Sequence, residues 1–419
     1  LKAIVTEAWI VAAVILGWLG FVTGSTALIL IGAMVFGAGA LARLWARLSL
    51  ERVTYTRTLS EHRVFVGESV DVEIDVANDK VVPVPWIEVR ETLPRGMPAD
   101  VKTSIGGSVG TQYLIRSTSM AGNDHLRWPI HLRAVKRGYY RVGPTRLRSG
   151  DLFGFFDSEE HTGRPTDGIM VYPHTYDLAE LGFDSMRPFG DLRGGNRIYE
   201  DPTRVVGIRD YAPGDALRRV DWYATARVGR LQSRIYEPSR SQALIIALNI
   251  PTEPEVWRGP EPVLLERGVS IAAAVARWAT ENHFATGLVA TGSFPEAPRT
   301  IRIGAGNRPD QLNAILEALA VVSSFTTIDM AQALEDPRHP LPSGATIVLI
   351  TALVTESTEA ALRRLRASGH AIHILKTDTR DWGRSLAPMP IRAMAEVMEP
   401  LEEAAIEAGF TADPREPIL

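Results

Sequence analysis

There is no cysteine among the 419 residues. Disulfides, thiolate metal sites and cysteine nucleophiles are excluded together, and the absence is compatible with a reducing compartment. An excess of one charge is also missing. The 45 basic and 49 acidic side chains leave a net charge of −4, which gives no electrostatic case for nucleic acid. No segment ends in the Gly-Lys-Ser/Thr that closes a phosphate-binding loop. The stretch 184–200, with Gly190, Gly194 and Gly195, therefore reads as a linker. His125 and His131 fall in or beside a strand-like run with Arg127 and Arg133, and no metal-type spacing accompanies them. No cofactor is expected. One catalytic pattern is present by letter only. Gly106-Gly107-Ser108-Val109-Gly110 matches G-x-S-x-G, which needs a strand, an elbow and a helix. Residues 111–115 read as a strand, so a hairpin loop is expected, and a serine hydrolase acting through Ser108 stands as an alternative.

What the sequence has begins with two apolar runs, 3–22 and 26–42, separated by Thr23-Gly24-Ser25. Each approaches the ~20 residues that span a bilayer. Two spans make a transmembrane helical hairpin with both ends on one side. Lys2 before it and Arg43, Arg47, Arg52 and Arg57 after it put those ends in the cytoplasm. A cleaved signal peptide is the competing reading; the second run would then stop transfer. At about 150 residues per domain the length suggests three domains.

Residues 53–172 change to period two. Val70, Val72, Ile74 and Val76 alternate with acids and hydroxyls, and Asn78-Asp79 marks a turn. Further short runs with frequent Gly and Pro predict a β-sandwich.

The densest paired charge lies at 207–238. Asp215 precedes a helical pattern from Ala216, with Leu217, Val220 and Ala224 on one face and Asp215 as the expected cap. Arg218 with Asp221, and Asp221 with Arg227, are spaced for ion pairs along that helix, and Gly229 is its expected stop. Salt bridges at a domain seam and a docking surface are both open readings.

Arg209, Tyr211, Pro213-Gly214-Asp215, Arg218, Val220-Asp221-Trp222, Ala224, Ala226-Arg227 and Tyr236-Glu237 resemble the signature of domain-of-unknown-function family 58. The stretches 137–144 and 151–156 are similar to the close of that family's β-segment. The resemblance implies a membrane hairpin, a β-rich segment, this signature and a von Willebrand factor A-like domain. It also implies association with a MoxR-type AAA+ ATPase.

Beyond the signature, apolar strands at 243–250, 286–290, 346–351 and 371–375 alternate with helical runs at 264–280, 312–322 and 356–367. The run 300–303 is expected to pair with 286–290 as a hairpin. This is the pattern of an α/β sheet covered on both faces. Family members of the von Willebrand type carry D-x-S-x-S after the first strand. Here Asn249, Pro251 and Glu253 stand instead, and Thr351, Ala352 and Leu353 stand at and after the end of a later strand, so a hard-cation site loses its leading acid and its hydroxyls, with Thr252 and Glu253 as the oxygen ligands left. A metal-dependent protein-binding module is thereby disfavoured, with Asn249 and Glu253 marking the degenerate position.

The expected organisation is a hairpin at 1–47, a β-sandwich at 48–175, linker and signature at 176–240, a von Willebrand factor A-like (Rossmann-like) domain at 241–400, and a helix end and tail at 401–419. The expected function is a non-catalytic, membrane-bound adaptor facing the cytoplasm. Its partners would be the lipid bilayer and a MoxR-type ATPase. The signature residues Arg209, Tyr211, Gly214, Asp215, Arg218, Asp221, Trp222, Arg227, Tyr236 and Glu237 would dock the ATPase or brace the seam.

Overall fold

The computed structural model of the chain describes residues 8–108, 110–152, 156–161, 166–183, 188–189, 199–212, 215, 217–239, 243–253, 261–294, 297–326, 328–383 and 385–415. For 161, 199–204, 206, 218, 236–239 and 297–299 it describes backbone alone. The chain divides into two compact units, Leu1–Tyr172 with Ala405–Leu419, and Pro173–Ala404.

The first unit opens with helices α1 (Ala8–Thr23) and α2 (Thr26–Ser49). Helix α2 runs back along α1; a Cβ on Gly39 would lie 2.2 Å from the Trp9 ring, so only glycine admits this approach. Two spans were expected. Among the described residues one helix, α2 with 24 residues, is long and apolar enough to cross a membrane, whereas α1 has 16.

Strands β1 (Val53–Leu59), β2 (Arg63–Phe65), β3 (Ser69–Asn78), β4 (Val84–Pro94), β5 (Ser104–Ile105), β6 (Thr111–Met120), β7 (His125–Arg133), β8 (Gly138–Val142), β9 (Thr145–Gly150), β10 (Asp157–His161) and β11 (Asp167–Tyr172) follow. They form sheets ordered β1-β3-β7, β10-β9-β4-β6-β5 and β2-β11-β8. One core lies among them. The alternation of β3 buries Val70, Val72, Ile74 and Val76 as expected, against Ile87, Val89 and Leu93 of β4 and Ile130 and Leu132 of β7.

A polar network interrupts this core. The Arg57 and Glu91 side chains are 1% and 0% exposed and pair at 2.6 Å. Tyr55 Oη and Thr145 Oγ1 donate to Glu91 Oε2 at 2.5 and 2.7 Å, and Arg57 Nε donates to Asp167 Oδ2 at 2.7 Å. Burial and the Glu91 charge raise the Tyr55 pKa. Each buried charge is thus met by partners, the condition on which such groups are tolerated.

In the second unit, β12 (Tyr199–Asp210) and β13 (Gln232–Ser239) pair antiparallel. Between them lie a 3-10 turn (Leu217–Arg219) and helix α3 (Trp222–Val228). The helix expected from Ala216 is therefore a short one carried on a ribbon; most of the stretch expected as a linker, 184–200, lies outside the described residues. Next come β14 (Ala243–Leu248), α4 (Pro262–Glu281), β15 (Ala285–Phe294), β16 (Ala297–Gly306), α5 (Gln311–Val321), α6 (Met330–Leu334), β17 (Thr346–Thr351), α7 (Glu356–Ala367), β18 (Ala371–Lys376), β19 (Ile391–Ala393) and α8 (Ala395–Glu407). The sheet order is β16-β15-β14-β17-β18-β19, with β16 antiparallel to β15 and the other pairs parallel. The expected α/β alternation and the 286–290 hairpin are both present; α6 and β19 were not anticipated. Continuous apolar runs produce strands such as β17 that are buried along their whole length.

Candidate functional site

The signature residues meet in the ribbon. Arg209 closes a two-pronged pair on Asp215, with Nη1 to Oδ2 at 2.8 Å and Nη2 to Oδ1 at 2.7 Å. The Ala212 amide donates to Asp215 Oδ2 at 3.0 Å, and Tyr211 Oη donates to the Asp215 carbonyl at 3.1 Å. Asp215 thus ties a turn together rather than capping a helix. The Arg209 hydrogen bonds first, then the Ala212 amide, hold its carboxyl below the usual range.

Asp221 is the cap. Its Oδ1 accepts from the Tyr223 and Ala224 amides, both at 3.0 Å, satisfying free donors of the first turn of α3. Its Oδ2 accepts from Arg234 Nε at 2.9 Å. The Ala224 amide and then Arg234 lower its pKa. The expected Asp221–Arg227 pair is replaced by Asp221–Arg234, because the chain doubles back: Val220 bridges Ser233 and the Asp221 amide donates to the Gln232 carbonyl at 2.8 Å. Arg227 instead lies 5.0 Å above the Tyr223 ring. Gly229 stops the helix as expected, in the left-handed conformation at φ 75°.

Gly214 and the Arg218 side chain lie outside the described residues. So do the Tyr236 and Glu237 side chains, whose backbone pairs with Val205 and Asp201. Arg234 and Gln232 complete the module without having been expected there. Gln232 Nε2 donates to Asp210 Oδ1 at 2.5 Å, and its amide donates to Thr225 Oγ1 at 3.0 Å. Their partners are too far along the chain for local periodicity to show.

Beside these ion pairs, which are themselves partly exposed, the module leaves apolar side chains open to solvent. Trp222 is 66% exposed and Tyr223 76%, beside exposed Leu217, Val228 and Leu231. Trp, Tyr and Arg are the residues that dominate binding energy at interfaces. The segment 199–239 has neither His nor Cys. Among the described residues of this segment, Asp210, Asp215 and Asp221 are each engaged with a neighbouring side chain.

The second place is the carboxyl edge of the six-stranded sheet. The chain leaves β14 to one side for β15 and returns on the other at β17, so the switch in strand order falls between β14 and β17. Asn249 is buried there. Its Nδ2 donates to Thr351 Oγ1 at 3.0 Å and to the Leu353 carbonyl at 3.2 Å, and Thr291 Oγ1 donates to its Oδ1 at 3.4 Å. Glu253 accepts from Arg380 Nη1 at 2.9 Å; Arg380 also binds Asp378 and the Thr252 carbonyl. Arg267, buried on α4, donates Nη1 to the Thr377 carbonyl at 2.9 Å and forks onto Glu402 at 2.9 and 2.8 Å. A guanidinium therefore faces Glu253, one of the two degenerate-site residues. Among the described residues no group of three or more His, Asp or Glu side chains is placed to hold a metal ion.

Ser108 sits in the turn between β5 and β6. Its carbonyl accepts from the Thr111 amide at 3.2 Å and from Thr111 Oγ1 at 2.7 Å. The chain passes from strand to strand, without the helix that an elbow requires.

Residues 207–388 match the model of a family described as a protein of unknown function, DUF58. The chain is similar to the uncharacterized protein YeaD of Bacillus subtilis (strain 168), at 22% identity over 253 residues, 60% of this chain and 59% of that protein. It thus spans about three-fifths of the length of the curated relative it matches. Among solved structures, a CARDB domain from Pyrococcus furiosus aligns at 17% identity with TM-score 0.20, over 28% of this chain and 91% of its own. A non-cellulosomal cohesin from Archaeoglobus fulgidus aligns at 10% identity with TM-score 0.20, over 28% and 91%. At these scores neither carries an argument.

Proposed function

From the premise that this chain carries a DUF58 domain over residues 207–388, we propose that it is a membrane-anchored adaptor without intrinsic catalysis. Its helices α1 and α2 form a two-span hairpin with both ends in the cytoplasm, and its six-stranded unit is a von Willebrand factor A-like module lacking the metal. The partner is a MoxR-type AAA+ ATPase, which the adaptor recruits to the membrane or supplies with substrate proteins.

The observation that carries the reading is the ribbon module. Matched ion pairs fix its backbone, while Trp222, Tyr223 and Leu217 face solvent. A rigid aromatic surface lowers the ordering cost of binding. The exposed apolar length of α2, the cations Arg43 and Arg47 near its end and Arg52 after it support the anchor and its orientation. The neutral network around Asn249 and the Arg380–Glu253 pair support a strand-edge crevice that works without a cation.

The test is ATP hydrolysis by a cognate MoxR-type ATPase with and without the full chain in nanodiscs. A change in turnover that disappears with Trp222→Ala/Tyr223→Ala supports the proposal. Unchanged turnover together with no measurable binding refutes it.

A further inference from the structure

Within the first unit, strand register fixes which loops share an end. Strand β1 leaves α2 at Val53, which pairs with Asn78 at the end of β3. The β3–β4 loop is therefore at the helix end. Strand β4 starts there at Val84, opposite Met120 of β6, and Ile87 of β4 pairs with Ser149 near the end of β9. The β9–β10 loop returns to the same end. The β5–β6 turn, carrying Ile105, lies at the opposite end, where Pro94 pairs with Thr111.

Both helix-end loops show apolar side chains to the outside: Val81 is 81% exposed and Leu152 64%. The β3–β4 loop is tightly held. Lys80 Nζ donates to the Ser49 and Glu51 carbonyls at 2.8 and 2.9 Å, which caps the end of α2 and fixes residue 80 beside it. The Asn123 amide donates to the Lys80 carbonyl at 2.9 Å, and Asn78 Nδ2 donates to the Val82 carbonyl at 3.1 Å. A Cβ on Gly122 would lie 2.1 Å from the Val81 carbonyl oxygen, so the loop is backed tightly from behind. At the other loop, Phe156 packs with Ala42, Ala46 and Trp9, and the Phe156 amide donates to Asp151 Oδ1 at 2.7 Å.

These contacts set depth. The exposed apolar face of α2 continues to Leu44. Ser49, which Lys80 caps, is five residues further, roughly 7.5 Å along the axis at 1.5 Å per residue. Phe156 touches α2 at 42–46, level with the last exposed leucines. Arg47, near the end of α2, and Arg52, just past it, are exposed.

We propose that the Val81 and Leu152 side chains insert into the headgroup–acyl boundary of an anionic bilayer, so that the β unit rides flush on the membrane instead of swinging on a linker. The exposed apolar side chains of α2 end at Leu44, level with the Phe156 contact and within about two turns of the Lys80 cap, so lipid around the helix reaches Val81 and Leu152. Arg47 and Arg52 complement the lipid phosphates. The inference rests on the reading of α2 as a membrane span.

A chain without cysteine allows clean single-probe labelling. Full-length Val81→Cys, Leu152→Cys, Leu30→Cys and Ile105→Cys, each carrying an environment-sensitive fluorophore, are reconstituted in anionic vesicles containing lipids brominated at shallow or deep acyl positions. Emission at Val81 and Leu152 is expected to shift to the blue and to lose intensity with shallow bromines. Leu30 is expected to respond to deep bromines, and Ile105 to none. Water-like emission at Val81 and Leu152 with a quenched Leu30 probe overturns the proposal and leaves the anchor standing. An unquenched Leu30 probe overturns the anchor, and the proposal with it.

Discussion

Asp221 caps the first turn of α3 with one carboxylate oxygen and accepts from Arg234 Nε, 2.9 Å away, with the other. One side chain therefore joins the helix to strand β13 and fixes the direction in which Trp222 and Tyr223 project. Asp221→Asn keeps an oxygen for the cap and gives up the charge on Arg234, whereas Asp221→Ala loses both. Hydrogen exchange at the Tyr223 and Ala224 amides is expected to accelerate moderately in the first variant and strongly in the second. Equal exchange in all three proteins contradicts the role given to Asp221.

Acid should loosen the same module. The Asp215 and Asp221 carboxyls titrate lower in the folded chain because of Arg209 and the Ala212 amide, and of the Ala224 amide and Arg234. Their contribution is full above the unfolded carboxyl pKa of about 3.9 and is lost as pH falls through the lower folded values. Exchange at Ala224, referenced to the sheet amide of Ile246, is expected to rise below about pH 4 and to stay level from pH 5 to 7. A constant ratio down to pH 2 contradicts this.

Removing Glu91 should weaken the β unit severely. Glu91→Ala takes from Arg57, 1% exposed, the fully buried carboxylate it pairs with at 2.6 Å, while its pair with Asp167 stays. Breaking a buried pair from one side costs about 3–5 kcal/mol. Glu91→Gln, which retains acceptors for Tyr55 and Thr145, should cost less. Thermal denaturation of the three proteins ranks them; equal midpoints refute the importance of the network.

How much of this the sequence revealed depended on how far apart the partners lie. Period two in 69–76 identified β3 and its inward valines, because a strand's faces are written in adjacent residues. Apolar runs likewise marked β14, β15, β17 and β18. The helix expected from Ala216 failed because Leu217, Val220 and Ala224 have helical spacing, yet Val220 is claimed by Ser233 and Asp221 by Arg234. Tertiary pairing overrode local pattern. Glu91 did leave a signal: it shares parity with Ile87, Val89 and Leu93, a charge on the buried face of a strand. Its partner Arg57 sits on another strand 34 residues away, so the pairing itself was invisible.

At Gly229 the left-handed φ of 75° ends α3 with no Cβ penalty. Gly229→Ala is expected to lower the module's stability by about 1–2 kcal/mol, read as faster exchange at the Ala224 and Thr225 amides with β14 unaffected. Exchange equal to that of the parent chain contradicts the assignment of Gly229 as the stop.

The central claim is that the exposed aromatic face of this module receives a MoxR-type ATPase. The most direct measurement is capture of that ATPase by the full chain in nanodiscs, with ATP and without, for the parent and for Trp222→Ala/Tyr223→Ala. The account predicts nucleotide-dependent capture by the parent and a loss of more than about 1 kcal/mol of binding, roughly fivefold or greater in affinity, in the variant. Capture absent in both nucleotide states, or equal for the two proteins, contradicts it.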